Sequence, residues 1–200
     1  MRNFKRFLSL CLAALTVLSA CVFSVGAADK ADYRDAAASL AAIGVLKGDE
    51  NGDLMLDKSV TRYQAALFFV QAITGKTDSS VWNADKSAIF TDVPEYGTAI
   101  DYLANLGLIV GRGNGIYGYN DTITYQEMLT LAVRALGYEK EEALQYPFGF
   151  IETAEGEDVA LNEGLREMSY TDALTRGDVA ILLYNAFFAK TGVAVVEENE

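Results

Sequence analysis

One order of features occurs three times along this 200-residue chain, and that repetition limits the fold more than any single motif does. Each copy has a first helix, a glycine-bounded turn, a polar loop, a threonine and a second helix. In the first copy, Asp35 to Ile43 puts Ala36, Leu40 and Ile43 on one face and stops at Gly44-Val45-Leu46-Lys47-Gly48. In the second, Phe90-Thr91-Asp92-Val93-Pro94 leads into a helix with Ala99, Ile100, Leu103 and Leu106, ending at Gly107-Leu108-Ile109-Val110-Gly111. The third runs from Tyr146-Pro147-Phe148 through Phe150 and Val159 to Ala160-Leu161-Asn162-Glu163-Gly164. Gly44 and Gly107 stand where a helix end takes a left-handed residue, which glycine adopts at little steric cost. Ala160 holds that place in the third copy, which predicts an altered turn.

Thr61, Thr124 and Thr175 follow the loops at similar intervals and read as N-caps. Thr61 with Gln64 and Thr124 with Glu127 form capping boxes, in which the hydroxyl takes the third helical amide and the long side chain returns to the cap amide. Asp178, three residues after Thr175, is read as too short for the return bond, though its charge suits the helix start. Behind each cap lies a helix that is apolar nearly all round: Ala65 to Ile73, Met128 to Leu136 and Val179 to Phe188, closed by Gly75, Gly137 and Gly192. A helix with no polar face must be surrounded by protein. About three turns cannot cross a membrane, so these helices predict a central three-helix bundle with the first helices and loops outside it. The fold class is mainly α, with units 28–78, 79–140 and 141–192. The linker containing Trp82 is the longest break, and 193–200 is an acidic tail.

The first 27 residues stand apart. Arg2, Lys5 and Arg6 precede an apolar run from Phe7 to Val25 that ends at small residues, the pattern of a secretory signal cleaved after Ala27. Leu18-Ser19-Ala20-Cys21 offers a second reading, a bacterial lipobox that would acylate Cys21. Both cysteines, Cys11 and Cys21, lie in this segment, so cleavage after Ala27 leaves no thiol and no disulfide. The chain has no histidine, which with the missing thiols removes imidazole bases, Ser-His-Asp triads, Cys-His nucleophiles and ordinary zinc sites. Loss of Arg2, Lys5 and Arg6 takes the formal net charge from −12 to −15, which argues against nucleic acid as a partner.

Phe90-Thr91-Asp92-Val93-Pro94, Gly107-Leu108-Ile109-Val110-Gly111, Thr61-Arg62 and Thr175-Arg176 together resemble the S-layer homology family, over nearly all of the chain after residue 27. The resemblance implies three repeats in a pseudo-threefold spindle. Its grooves would bind a pyruvylated secondary cell-wall polysaccharide and tether the protein to the envelope without covalent bonds. The family's basic residue maps to Arg62 and Arg176, while the second copy has Tyr125 instead, a residue able to stack on a sugar or donate one hydrogen bond. The family's start-of-repeat aspartate maps to Asp92 and more loosely to Asp35.

An arginine in the first turn of a helix opposes the macrodipole, so local stability does not account for Arg62 and Arg176. A bound carboxylate does, gripped by the guanidinium fork with free helix amides adding to it. The expected ligand-binding residues are Arg62, Arg176, Asp92, Gly48, Gly111 and Tyr125, with Tyr117 and Tyr119 serving either as a sugar floor or as loop anchors. Gly48, Gly111 and Gly164 serve loop geometry first. Asp49, Asn51 and Asp53 around Gly52 depart from EF-hand spacing and read as a polar turn. Arg134, in the middle of a helix, is assigned no ligand role. The expected protein is a secreted, non-catalytic cell-surface module with no cofactor, metal or membrane span, whose partner is a wall polysaccharide. A self-assembling structural surface protein and a two-carboxylate glycosidase are the alternatives.

Overall fold

A computed structural model of the chain describes residues 33–78, 90–94, 97–138 and 144–192. The expected secretory segment 1–27, the linker around Trp82 and the tail 193–200 lie outside the described residues. The fold is mainly helical: α1 Tyr33–Ala42, α2 Arg62–Thr74, α3 Thr98–Asn105, α4 Tyr125–Leu136, α5 Phe148–Glu155 and α6 Arg176–Phe188. Among the described residues, no helix is long and apolar enough to cross a membrane.

The long helices α2, α4 and α6 start at the three threonines. At Thr61 the hydroxyl accepts from the Gln64 amide at 3.2 Å, and Gln64 Oε1 accepts from the Thr61 amide at 3.0 Å. At Thr124 the amide donates to Glu127 Oε2 at 3.1 Å, while the threonine hydroxyl stays short of a good hydrogen bond. The reading of Asp178 is corrected, because its Oδ2 accepts from the Thr175 amide at 2.9 Å and completes a box. Gly75 and Gly137 end α2 and α4 in the left-handed conformation, but α6 stops at Phe188, before Gly192.

The short helices close on glycine as expected, with Gly44 at φ 78° and Gly107 at φ 76°. In the third unit α5 ends early at Glu155, and Ala160 itself takes a left-handed φ of 44°. A side chain in that conformation costs roughly 1–2 kcal/mol.

Packing between units is cyclic. α3 packs on α2, α5 on α4, and α1 on α6, so the first and last units close on each other. The segments before the caps meet in a closed ring of backbone bonds. The Val60 amide donates to Leu174 O at 2.9 Å, the Leu174 amide to Ile123 O at 3.1 Å, and the Ile123 amide to Val60 O at 2.9 Å. All three side chains are buried.

The first amides of a helix lack partners inside it. Here carbonyls of a neighbouring unit supply them: Arg62 N donates to Asp121 O, Tyr125 N to Asp172 O and Arg176 N to Lys58 O. The ring therefore fixes residues 62, 125 and 176 in equivalent corners, each between a helix start and a neighbouring loop. At the opposite end, Phe69, Ile73, Leu136, Leu183 and Phe187 bring α2, α4 and α6 together around a small apolar cleft.

Candidate ligand-binding corners

Arg62 is buried, at 7% exposure, with its Nε and Nη1 both engaged. Its Nε donates to Tyr117 O at 2.9 Å, its Nη1 meets Glu127 Oε1 at 2.8 Å, and its Cζ lies 4.5 Å from the Tyr117 ring centroid. The Tyr117 hydroxyl donates back to Arg62 O at 3.1 Å. Burial pushes the Tyr117 phenol up to about 12, so it remains a donor. Glu127 Oε1 also accepts from Arg112 Nη2 at 3.1 Å, and Arg112 Nη1 reaches Asp121 Oδ2 at 2.6 Å. Burial acts to raise the Glu127 carboxyl, but the charge of Arg62, the Thr124 amide and the charge of Arg112 outweigh it and hold the group below its usual range.

Beside this pair lies a groove of about 350 Å³, lined by Arg62, Arg112, Arg134, Glu127, Tyr117, Tyr146 and the Leu108 to Gly111 turn. That volume lies within the range of small-molecule sites. Arg134 borders it, with its Cζ 5.0 Å from the Phe150 ring centroid. The mid-helix position thus borders the same groove as Arg62.

Arg176 occupies the equivalent corner at the start of α6 with the same 7% exposure. Its Nε donates to Leu54 O at 2.7 Å and its Nη2 to Lys47 O at 2.6 Å, and the guanidinium lies 5.4 Å from the Phe68 ring centroid. Leu54 stands seven residues before Thr61, as Tyr117 does before Thr124, so the two arginines grip equivalent loop carbonyls. Here the likeness stops. Among the described residues no carboxylate pairs with Arg176, and burial pulls its guanidinium below the ordinary value with no anion to oppose it. The expectation of free helix amides is overturned: the amides of Arg176, Gly177 and Asp178 bond to Lys58 O, Leu56 O and Thr175 Oγ1.

Tyr125, in the third corner, is buried at 3% exposure beneath Tyr170, with ring centroids 5.7 Å apart. Its hydroxyl donates to Glu155 Oε1 at 2.8 Å, and that of Tyr170 to Glu155 Oε2 at 3.1 Å. Burial and then the bond to Glu155 push the Tyr125 phenol up. The face that was to meet a sugar is covered by Tyr170.

Asp92 organises the loop beneath Arg62, accepting from the amides of Tyr117 at 2.8 Å, Gly118 at 2.7 Å and Tyr119 at 3.0 Å. Its slight burial acts to raise the carboxyl, and those amides hold it below the usual range. Asp35 lies exposed on α1. Tyr117 and Tyr119 are buried, the latter stacked on Tyr63 with centroids 4.6 Å apart, which makes both loop anchors. A Cβ on Gly111 would sit 2.5 Å from Ile116 O, and one on Gly48 2.9 Å from Asp53 O, so both loops close too tightly for a side chain. The loop of Asp49 is a polar turn, with Asp49 Oδ1 accepting from the amides of Asn51 and Asp53. Arg112, Arg134 and Glu127 were missed as groove residues. A lone charge within an apolar helix and an arginine directly after Gly111 were the available signals.

Residues 89–129 match the S-layer homology domain. The chain is 30% identical over 93% of its length to a cell surface protein of Thermoanaerobacter kivui, of which it covers 25%. It is also 28% identical, over 78% of its length, to the middle cell wall protein of Brevibacillus brevis, of which it covers 14%. A surface layer protein of Brevibacillus choshinensis is 28% identical over 63% of the chain and 11% of that relative. The chain thus spans a quarter or less of these relatives.

Proposed function

We propose that this chain is a non-catalytic module that binds the bacterial cell wall by holding the acid groups of a pyruvylated secondary polysaccharide in the corners between three spindle-forming units, 28–78, 79–140 and 141–192. Its match to the S-layer homology domain and its relatives named for the cell surface, the cell wall and the surface layer put it at the cell surface.

The observation that carries the glycan reading is the pair Arg62 and Arg176, buried at equivalent helix starts in a chain of net charge −12. Repulsion between an acidic protein and an acidic polymer acts over the whole surface, so attraction must come from placed contacts. Gly48 and Gly111 let their loops close beside the arginines, Asp92 fixes the loop under Arg62, and Tyr125 marks a corner without the cation.

Hydrogen bonds to charged groups contribute about 1.5–3 kcal/mol each. Arg62→Ala with Arg176→Ala should therefore weaken binding to purified walls by about a hundredfold or more. The measurement is cosedimentation with walls that retain or lack their secondary polymer, with circular dichroism to confirm folding. A folded double variant that binds like wild type sinks this function.

A further inference from the structure

We infer that Glu127 is an internal anion seated on Arg62, so that this chain offers one open site for an acid group, at Arg176, rather than one at each arginine. The inference rests on the proposed function and names which corner takes the charge.

The third helical residue after each cap decides the matter. In α4 it is Glu127, and Arg62 reaches across from the neighbouring unit to meet it at 2.8 Å. In α6 it is Asp178, fully buried. No arginine starts α4, so Asp178 receives its cation from the third loop: Arg166 Nε and Nη2 bond to its two oxygens at 3.0 Å each. In α2 the residue is Gln64, which makes the same capping box with no charge. Two carboxylates thus take three arginines, Arg62 and Arg112 at Glu127 and Arg166 at Asp178, and the neutral member leaves Arg176 over. Two of its five N–H donors are spent on the carbonyls of Leu54 and Lys47.

An incoming carboxylate at Arg62 must displace Glu127, which Arg112 and the Thr124 amide hold from other directions. At Arg176 no carboxylate among the described residues has to be displaced, and only the carbonyls of Leu54 and Lys47 share the guanidinium. The groove beside Arg62 is wide, but Glu127 and Asp121 already answer Arg62 and Arg112 within it.

Exchange of the two residues tests this. A monosaccharide carrying a pyruvate ketal is titrated calorimetrically into the whole protein. Wild type should bind one equivalent. Glu127→Gln puts at α4 the residue that α2 already uses for its cap, and should bind two. Adding Arg62→Ala to it should restore one. Gln64→Glu should give Arg176 its own counterion and weaken the wild-type site roughly tenfold or more, the loss of about one charge-assisted bond. Two equivalents in wild type, or a Gln64→Glu protein that binds like wild type, overturn the inference, as does a folded Glu127→Gln protein that still binds one. A wrong count with the ketal still bound leaves the proposed function standing, whereas no binding by any variant sinks both.

Discussion

At the Arg62 corner a cation on a helix start crosses to a carboxylate of the next long helix, whereas at the Tyr125 corner the equivalent carboxylate, Asp178, is met by Arg166 from a loop. The backbone beneath the two corners is the same: the amides of residues 62 and 125 donate to carbonyls of the following unit, beside the same ring. Backbone bonds ask nothing of residue identity, so the same bonds recur while the side chains around them diverge. Charge balance is then solved locally, corner by corner.

The largest test strikes the shared frame. Leu174 and Ile123 occupy equivalent ring positions and are both buried. Leu174→Ala and Ile123→Ala should each cost about 2–5 kcal/mol. Chemical denaturation would measure this, and a cost below about 1 kcal/mol at one position only would break the equivalence.

The next test concerns the corners. Arg166→Ala leaves Asp178 buried without its arginine, and should cost about 2 kcal/mol at neutral pH, less than a fully buried pair because the Arg166 side chain is 45% exposed. Burial acts to raise the Asp178 carboxyl. The bonds from Arg166 and from the Thr175 amide and hydroxyl win, and hold it below its usual range. A depressed folded value means that the stabilisation is present above the unfolded value, near ~3.9, and is lost as pH falls through the folded one. Melting curves of wild type and variant should therefore converge below about pH 4, and a gap that stays constant into acid would assign the cost to packing instead.

What was legible from the chain alone follows the same divide. Caps and helix ends depend on neighbours within a few residues, so Thr61, Thr124, Gly75 and Gly137 announce themselves. Asp178 was misread because partners 12 and 145 residues away, Arg166 and Tyr33, hold its carboxylate in place. Glu127 was read correctly as a cap residue. Its second task, meeting Arg62, crosses between units and has no local signature. Arg62 and Arg176 were visible as a motif, but the carboxylate that distinguishes the first, Glu127, belongs to a neighbouring helix.

The smallest test is Ala160→Gly. It removes the Cβ from a left-handed residue and adds some unfolded-chain entropy, for a net gain of about 1 kcal/mol. Thermal melting would read it. No gain would mean that the third loop holds Ala160 at little strain, unlike the equivalent turns at Gly44 and Gly107.

The pairing of α1 with α6 bears on how the molecule comes into being. In a chain delivered from its N-terminal end, α1 waits for a partner about 140 residues downstream, and the backbone ring stays open until Leu174 arrives. The first unit cannot complete its burial alone, so its closure waits for residues of the third. Closing first to last makes for slow, long-range assembly.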